Sequence, residues 1–400
     1  MNFGAVKKYR DHIFQIGSLG LNLLFIMVAA YVLPIEDFGR FTFEYAFSSV
    51  LAVVFKFGLD SLFLFYFPRV GYYFAARVIC IFSLILFPVF ILICLNIEII
   101  SYPLALLSVV MALDEILLAV QRSQQKAIQF LAARNALYSL RIIVLILFQD
   151  LPILILCAVT QGVSVVVFML LNGVKFKQNY YEKEKWSDHA HEISLWSGFK
   201  FTLKNVMSNL LGVLTVKIDI FMLAALAGFG LVGYYEIGAR WGFLASIPIT
   251  IISAVNAPRI SKLGARSTLS FFEIFYQRSR KQTFSVTVSY VLVLVIAQQL
   301  FGKYAGLFDA ELLDVGVILG LGFAISSFFG PSGTALVLLG YPGLHLLRVG
   351  IALMVNIALN LIMIPTYGSI GAALSTAIVV AMSSVVSYFA LLKVMRKKVT

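Results

Sequence analysis

The sequence predicts an all-α polytopic membrane protein, with twelve transmembrane helices in two six-helix lobes related by a parallel repeat. Its composition, its long apolar segments and a similarity between its halves all favour this class. Of the 400 residues, 61% are hydrophobic and only 12% are charged, and the mean hydropathy is +0.95. A soluble chain of this length cannot bury that much apolar surface, so its surroundings must be lipid.

Twelve apolar segments can each cross about 30 Å of hydrocarbon as a helix, which takes roughly 20 residues. They are continuous runs rather than ten-residue alternations, which favours helices over strands. The segments are 13–33, 41–67, 74–96, 99–120, 128–148, 151–171, 199–226, 232–257, 283–301, 312–338, 344–364 and 369–392.

The first segment follows a basic head, MNFGAVKKYRDH, and has no small-residue cleavage site. We therefore expect a retained signal anchor rather than a removed signal peptide. Cys80, Cys94 and Cys157 all fall within apolar segments. They are expected to act as small buried hydrophobic residues, without a disulfide framework.

Lys and Arg residues in the connections set the orientation of the helices. With the N-terminus in the cytoplasm, the inside connections and tails hold 21 of these residues, whereas the outside loops hold only Arg40 and Lys303. We therefore expect both termini to be cytoplasmic. The net charge of +12 is then a topology signal and not a nucleic-acid-binding patch.

The two longest connections lie on the inside and divide the chain. Residues 172–198 form a predicted cytoplasmic linker between an N-terminal lobe, 1–171, and a C-terminal lobe, 199–400. Within 258–282, the stretch STLSFFEIFYQRSRK is either an interfacial amphipathic helix or a solvated basic connector. The longest outside loop, 302–311, has ten residues, which leaves no room for an external domain.

The two halves contain similar stretches at corresponding places. EDFGRFTFEYAF follows the first segment and GLVGYYEIGARW follows the seventh; each has a Gly, two aromatic residues and an acid, Glu44 or Glu236. Each helix pair then ends in Pro-Arg, within FPRV or APRI, on the cytoplasmic side. The repeat is therefore parallel, which is a design of transporters with a central path between two lobes.

Charged side chains inside the predicted spans carry the functional signal. Each Lys or Arg at the bilayer centre costs at least about 2.5–3.5 kcal/mol on insertion scales, so it is expected to be paired or functional. The deep cations outnumber the deep acids, which predicts a water-filled cavity for a multivalent anion such as phosphate. The candidate substrate-binding residues are Lys56, Arg134, Arg141, Lys204, Lys217, Arg240 and Arg348, and the candidate ion-coupling residues are Glu44, Asp60, Asp219 and Glu236.

The seventh segment, within FKFTLKNVMSNLLGVLTVKIDIFM, combines a transmembrane length with four charges. At 100° per residue, one polar stripe runs along it, whereas Lys217 points to nearly the opposite side. Lys217 therefore either contacts another helix or lines a second wall. The stripe consists of Lys200, Lys204, Ser208, Thr215 and Asp219.

Four of the deep charges have a plain structural alternative. Lys56 with Asp60, and Glu236 with Arg240, are spaced i, i+4 on their helices. Side chains at this spacing are neighbours on one face, so each couple can close into an ion pair that neutralises itself.

Three arginines depend on groups from elsewhere. Arg134 and Arg141 share a face of the fifth segment that carries no acid, so their anion must come from another element. Arg348 opens the eleventh segment, where it either binds anions or snorkels to the interface. Asp114 and Glu115 are expected to cap the basic residues that follow them in the chain.

No catalytic or metal-binding constellation competes with transport. HAH at 189–191 has no Cys or acid cluster to complete a metal site. No phosphate-cradling Gly-rich loop with Lys and Ser or Thr is present, so no ATP site is expected. We expect no enzyme activity, no cofactor and no metal, and transport coupled to H⁺ or Na⁺ or driven by the substrate's own gradient.

Five stretches with a loose but ordered pattern cover both lobes and most of the chain. The first lobe contains LPIEDFGRFTFEYAF and FKFGLDSLFLFYFPR. The second contains KIDIFMLAALAGFGLVGYYEIGARW, APRISKL and IALNLIMIPTYGSIGAALSTAI. In these stretches the chain resembles the bacterial polysaccharide flippases, the O-antigen and exopolysaccharide translocases of the multidrug/oligosaccharidyl-lipid/polysaccharide exporter superfamily.

The resemblance implies a V-shaped central cavity between the lobes, lined largely by helices 1, 2, 7 and 8, which opens alternately to the two sides. It implies that a lipid-linked oligosaccharide on undecaprenyl pyrophosphate crosses the bacterial cytoplasmic (inner) membrane from the inner to the outer leaflet. The product would serve O-antigen, capsule or exopolysaccharide assembly, beside a polysaccharide polymerase and glycosyltransferases. We expect a monomer whose partners are this substrate and membrane lipids.

Carried onto this chain, the resemblance places Asn22 and the charges of helices 1, 2, 7 and 8 at the cavity. The cations would hold the pyrophosphate, while Tyr45, Tyr234 and Tyr235 stack on sugar rings. Two other classes stay open. A multidrug or cation exporter of the same superfamily would favour an acidic cavity, and a membrane glycan polymerase would carry a long external loop.

Overall fold

The computed structural model describes residues 3–60, 101–123, 127–148, 152–166, 195–250, 252, 269–301, 310–338 and 341–397. Throughout these ranges the chain is helical, with short turns and no strand. The predicted third span, most of the predicted linker, and Cys80 and Cys94 lie outside the described residues.

Eleven helices lie within the described ranges, and five of them are long and apolar enough to cross a membrane. The five stretches are Ile35–Lys56, Tyr102–Ala119, Val206–Leu226, Tyr276–Gln299 and Gly343–Met395. In chain order the helices are α1 (Phe3–Val32), α2 (Ile35–Lys56), α3 (Tyr102–Ser123), α4 (Ala127–Leu147), α5 (Ile153–Val166), α6 (Leu195–Leu226), α7 (Phe229–Leu244), α8 (Leu269–Phe301), α9 (Ala310–Phe328), α10 (Ser332–Leu338) and α11 (Pro342–Lys397).

Glycines set the shape of the last predicted spans. The two spans 344–364 and 369–392 join in α11, which Gly368 bends with a φ of 55° and a ψ of −127°. Gly330, with a φ of 64°, divides the predicted span 312–338 into α9 and α10. A positive φ is open to glycine because it lacks a Cβ.

The basic stretch STLSFFEIFYQRSRK and the ninth predicted span, 283–301, form one helix from Leu269 onward. The stretch is continuous with α8, so it is neither a separate interfacial helix nor a loop. Its Tyr276 is only 3% exposed, and the hydroxyl donates a hydrogen bond of 2.5 Å to the carbonyl of Phe329. Packing against the second half of the chain therefore extends the helix beyond its apolar segment.

The chain forms two compact units. The first comprises Met1–Pro34 and Glu44–Val213, and in it α4 packs against α1 and α3. The second comprises Ile35–Phe43 and Leu214–Thr400, and in it α9 packs against α7, α8 and α11. The two units are defined by which residues contact one another, whereas the predicted lobes, 1–171 and 199–400, were defined by the position of the linker. The lobe boundaries therefore stay a prediction.

Two glycines allow the start of α2 to approach the start of α7 within the second unit. A Cβ on Gly39 would collide with the carbonyl of Phe229, and a Cβ on Gly233 would collide with the carbonyl of Ile35. Each glycine thus meets the residue four positions before the other. This reciprocity makes Gly39 and Gly233 equivalent positions, and they lie in the two stretches, EDFGRFTFEYAF and GLVGYYEIGARW, that the sequence analysis paired.

Further glycines seat α9 against its neighbours. A Cβ on Gly242 of α7 would lie 2.9 Å from the carbonyl oxygen of Gly316 on α9. A Cβ on Gly322 of α9 would lie 2.6 Å from the Cα of Ala377 on α11. Small residues of this kind let membrane helices pack backbone to backbone.

Gly322→Ala should destabilise the protein by roughly 1–3 kcal/mol, because the added methyl meets the backbone of Ala377 rather than a flexible side chain. Gly350→Ala is the matched control, since nothing lies within 4 Å of its added Cβ. The measurement is the thermal unfolding midpoint of each variant purified in detergent. Equal midpoints for the two variants would contradict this packing.

Candidate functional site

Helix α6 carries Lys217 and Asp219 two residues apart. At 100° per residue their side chains leave the helix about 200° apart, so they serve different neighbours. Asp219 faces α11 and a tyrosine of α7, whereas Lys217 lies near the charges of α7. One helix therefore supplies an acid to one cluster and a cation to another.

Asp219 is fully buried, and four side chains donate hydrogen bonds to it. The Asn356 and Asn360 amides donate to Oδ1 over 3.0 and 2.7 Å. The hydroxyls of Tyr235, at 2.7 Å, and Thr376 donate to Oδ2. We call these five residues the acid cluster; its donors come from α7 and from both sides of the bend in α11.

The acid cluster suits a small cation or a proton. A buried carboxylate needs donors or a counter-ion, and no Lys, Arg or His of the described residues lies within 4.0 Å of Asp219. The Oδ1 atom of Asn360 is also buried and accepts no hydrogen bond from them. Rotation of that amide would turn an oxygen toward the carboxylate, as a cation site requires.

A second cluster joins α6 to α7. Arg240 donates to Glu236 one turn earlier, and Lys217 lies close enough to interact electrostatically with both. The Glu236 side chain is 5% exposed and that of Arg240 is 22% exposed. A second cation thus lies near the ion pair of Arg240 and Glu236 without a carboxylate of its own within 4.0 Å among the described residues. We call these three residues the cation cluster, and its net positive charge equips it to attract an anion.

Lys56, in the first unit, is held by acids. Its ammonium donates to Asp60 over 2.9 Å and to Glu115 of α3, and the residue is 6% exposed. Two carboxylates surround one cation, so this group of three is net negative. The i, i+4 pair expected from the sequence forms, and a third member joins it.

Arg134 also has a carboxylate partner, which comes from a neighbouring helix. Its guanidinium donates to Asp114 of α3 over 3.3 Å, and Asp114 is 2% exposed. Asp114 and Glu115 were expected to cap the basic residues that follow them. They reach Arg134 of α4 and Lys56 of α2, respectively. The basic residues they were expected to cap, Arg122 and Lys126, have side chains outside the described part of the structure, so that expectation stays a prediction.

Arg141 is the most deeply buried cation among the described residues. Its guanidinium carbon lies 4.0 Å from the ring centre of Phe25 and 4.6 Å from that of Tyr138. None of its three side-chain nitrogens has a hydrogen-bond partner among the described residues. A desolvated cation–π contact contributes about 2 kcal/mol, so two rings offset much of the cost of burying the charge.

Arg348 contacts neutral groups. One end of its guanidinium donates to the Ser383 hydroxyl, and the other lies 3.1 Å from Nδ1 of His345. No carboxylate of the described residues lies within 4.0 Å of it. The residue is half-buried between two stretches of α11 rather than extended along the surface.

The remaining candidates are less closely defined. Lys204 lies on α6, but its side chain is outside the described part of the structure. Glu44 and Tyr45 of α2 and Tyr234 of α7 are half-buried. The sugar-stacking role predicted for Tyr235 is wrong in this conformation, because the ring is 1% exposed and its hydroxyl is bonded to Asp219.

Three residues of the acid cluster were missed by the sequence analysis. Asn356, Asn360 and Thr376 carry no charge, and the search for function followed charges. The signal that could have found them is the i, i+4 spacing of the two Asn residues within an otherwise apolar stretch of α11.

No protein-family model and no curated protein matches the chain, whereas solved structures do. The lipid II flippase MurJ, in an inward closed conformation, is 16% identical, with a TM-score of 0.71 over 95% of this chain and 87% of MurJ. An inward-facing multidrug resistance MATE family transporter of the MOP superfamily is 14% identical, with a TM-score of 0.70 over 96% and 98% of the two chains. A MOP superfamily transporter from Pyrococcus furiosus, described by the reverse polarity of its binding pocket, is 14% identical, with a TM-score of 0.64 over 98% and 95%.

These similarities establish the fold. The predicted fold class, an all-α polytopic membrane protein with twelve transmembrane helices in two six-helix lobes, is confirmed, because the match extends over almost the whole chain. The chain is therefore a multi-pass membrane protein with the fold of MOP superfamily transporters.

Arg134→Met should cost about 3–5 kcal/mol of stability, because it leaves the Asp114 carboxylate buried without its cation. The double variant Arg134→Met, Asp114→Asn should regain most of that loss, since no charge is then left unpaired. Thermal unfolding in detergent measures both. If the double variant is no more stable than the single one, Arg134 does not serve as the partner of Asp114.

Proposed function

We propose that the protein is a flippase that moves an undecaprenyl-pyrophosphate-linked oligosaccharide repeat unit from the inner to the outer leaflet by alternating access. The observation that carries this proposal is the cation cluster, in which Arg240 pairs with Glu236 and Lys217 lies near that pair, so that two cations accompany one carboxylate. Its charge is opposite to what a cationic drug requires. The fold supports the proposal because MurJ, a lipid II flippase, has the same one.

The cation cluster provides chemistry suited to a pyrophosphate. An arginine can present two parallel N–H groups to a phosphate, and a lysine adds a mobile point charge. Without substrate, Glu236 holds Arg240 in place and keeps it from being an unpaired buried charge. A pyrophosphate, with more negative charge than one carboxylate, would compete with Glu236 for Arg240 and recruit Lys217.

Other predicted residues have secondary roles in this proposal. Tyr234 and Tyr45 are half-buried and remain available to stack on sugar rings. Arg348 keeps its charge unneutralised among Ser383 and His345, so it can meet a phosphate that enters between helices. Lys56 is a weaker candidate, because two carboxylates already surround it.

The acid cluster is proposed to bind the coupling ion, with Na⁺ favoured over H⁺. A proton needs only one carboxylate oxygen, whereas here four neutral side chains, each bearing an oxygen, also converge on Asp219. Hard monovalent and divalent cations prefer such all-oxygen surroundings. Among the described residues no group of three His, Cys, Asp or Glu could hold a transition metal.

Adjacent residues of α7 connect the two clusters. Tyr235 bonds to Asp219, and the next residue, Glu236, pairs with Arg240. An ion at Asp219 would draw on the carboxylate oxygen that the Tyr235 hydroxyl now holds. The resulting shift of α7 would reach Glu236 directly, which gives the ion a means of changing the affinity for substrate.

A cation or drug exporter of the same superfamily is the second candidate. The net negative group of Lys56, Asp60 and Glu115 favours it, and MATE multidrug transporters share the fold. Efflux of a cationic dye from vesicles, abolished by Asp60→Asn, would support this alternative. A glycan polymerase has no comparable observation in its favour.

The setting proposed for this activity is the bacterial inner membrane, with both termini in the cytoplasm. The protein would act as a monomer beside a polysaccharide polymerase and glycosyltransferases, in assembly of O-antigen, capsule or exopolysaccharide. Its substrate joins a charged pyrophosphate, a polar glycan and a prenyl tail that stays in lipid.

Lys217→Gln and Arg240→Gln should each slow flipping of a fluorescent undecaprenyl-pyrophosphate oligosaccharide in proteoliposomes by about 10–100-fold, since a hydrogen bond to a charged group contributes about 1.5–3 kcal/mol. Lys281→Gln is the control, because Lys281 is exposed on α8. Accessibility of the fluorophore to an external quencher measures flipping. Wild-type rates in both cluster variants would contradict the proposed substrate site.

Asp219→Asn should remove the dependence of flipping on a Na⁺ gradient, because the neutral side chain cannot balance a bound cation. Asp314→Asn, which alters a half-buried acid elsewhere in the second unit, should leave that dependence intact. The measurement is the initial flipping rate against external Na⁺ at fixed pH. A rate that responds to pH and not to Na⁺ in the wild type would assign the site to protons instead.

A further inference from the structure

The first unit contains a fully buried cation that has no carboxylate within 4.0 Å among the described residues. Arg141 of α4 lies between the rings of Phe25 on α1 and Tyr138, with no exposed surface. The thiol of Cys157, on α5, is also fully buried and lies close enough to interact electrostatically with it. These groups form a closed cluster around a guanidinium that has no acid among the described residues.

The residues of this cluster correspond, through the internal repeat, to residues of the acid cluster in the second unit. Phe25 lies fourteen residues before Gly39, and Asp219 lies fourteen residues before Gly233. The two glycines are equivalent by their reciprocal contacts with Phe229 and Ile35. Phe25 in the first unit therefore corresponds to Asp219 in the second.

The last two helical stretches of each half also carry their cluster residues at equal spacing. Arg141 lies sixteen residues before Cys157, and Asn360 lies sixteen residues before Thr376. In both units the first member is on the penultimate helical stretch and the second on the last. The side-chain contacts agree with these equal spacings. Arg141 lies over the ring of Phe25, and Asn360 donates a hydrogen bond to Asp219, the counterpart of Phe25.

The two clusters are alike in position and opposite in charge. The second unit places the Asp219 carboxylate on α6, where the first unit has the ring of Phe25 on α1. The first unit places the Arg141 guanidinium on α4, where the second unit has the amide of Asn360 on α11, whose oxygen accepts no hydrogen bond from the described residues. A guanidinium at this place supplies the positive charge that a bound ion would bring.

We propose that Arg141 is a fixed cation of the first unit, standing where the second unit binds its exchangeable cation, so that a single ion is exchanged in each transport cycle. This inference rests on the proposed ion site at Asp219. A cation arriving at this position of the first unit would meet a like charge, whereas at the corresponding position of the second unit it meets the carboxylate of Asp219. The ring of Phe25 stabilises Arg141 without neutralising it, so the charge remains in place through the cycle.

Binding of ²²Na⁺ to the purified full-length protein tests the inference. The wild type should bind one Na⁺ per chain, and Asp219→Asn should bind none. The double variant Phe25→Asp, Arg141→Asn rebuilds the second unit's acid and amide in the first, and should bind two. Phe25→Asp alone is the matched control: Arg141 then pairs with the new acid, and the count should stay at one.

The possible results distinguish failure of the fixed cation at Arg141 from failure of the proposed ion site at Asp219. No Na⁺ binding in the wild type, or full binding in Asp219→Asn, would overturn both the ion site and the fixed cation. A folded double variant that still binds one Na⁺, or two ions in Phe25→Asp alone, would overturn the fixed cation and leave the ion site standing. If the double variant does not fold, the dependence of the wild-type flipping rate on Na⁺ concentration is the deciding measurement. A Hill coefficient near one supports the inference, and a value near two overturns it.

Discussion

The burial of one carboxylate organises the second unit. Asp219 is removed from solvent within a chain that lies in lipid, and a charge so placed costs several kcal/mol unless donors surround it. The donors come from α7 and from both sides of the bend in α11, so satisfying Asp219 requires these elements to converge. The same convergence sets Glu236, the neighbour of Tyr235, beside Arg240 and Lys217.

The charges within the spans divide into two kinds once their partners are known. Lys56 and Arg134 are neutralised by acids of α3, and these ion pairs stabilise the packing of helices within the first unit. Lys217, Arg141 and Arg348 have no carboxylate within 4.0 Å among the described residues, although Lys217 is close to Glu236. The unneutralised cations, rather than the total count, are what can draw a phosphate into the molecule.

Much of the fold was predictable because its signals are local. Apolar runs mark the spans, and the i, i+4 spacing of Lys56 with Asp60 and of Glu236 with Arg240 correctly indicated pairs. The partner of Arg134 was not predictable, since it depends on which helix packs alongside. The Asn360 and Thr376 donors were missed because neutral side chains leave no trace in a charge pattern, and the length of α8 exceeds its apolar segment because tertiary packing buries Tyr276.

The mutual approach of Gly39 and Gly233 has the form of a contact across a two-fold axis, in which each partner offers the other the same patch. Such a contact is what two copies of a six-helix ancestor would make before their genes fused. In a pair of identical copies, any acid buried in one half would recur at the equivalent position of the other half. Fusion removes that restriction, so one half of a duplicated protein can hold a guanidinium where the other holds an amide, and an aromatic ring where the other holds a carboxylate.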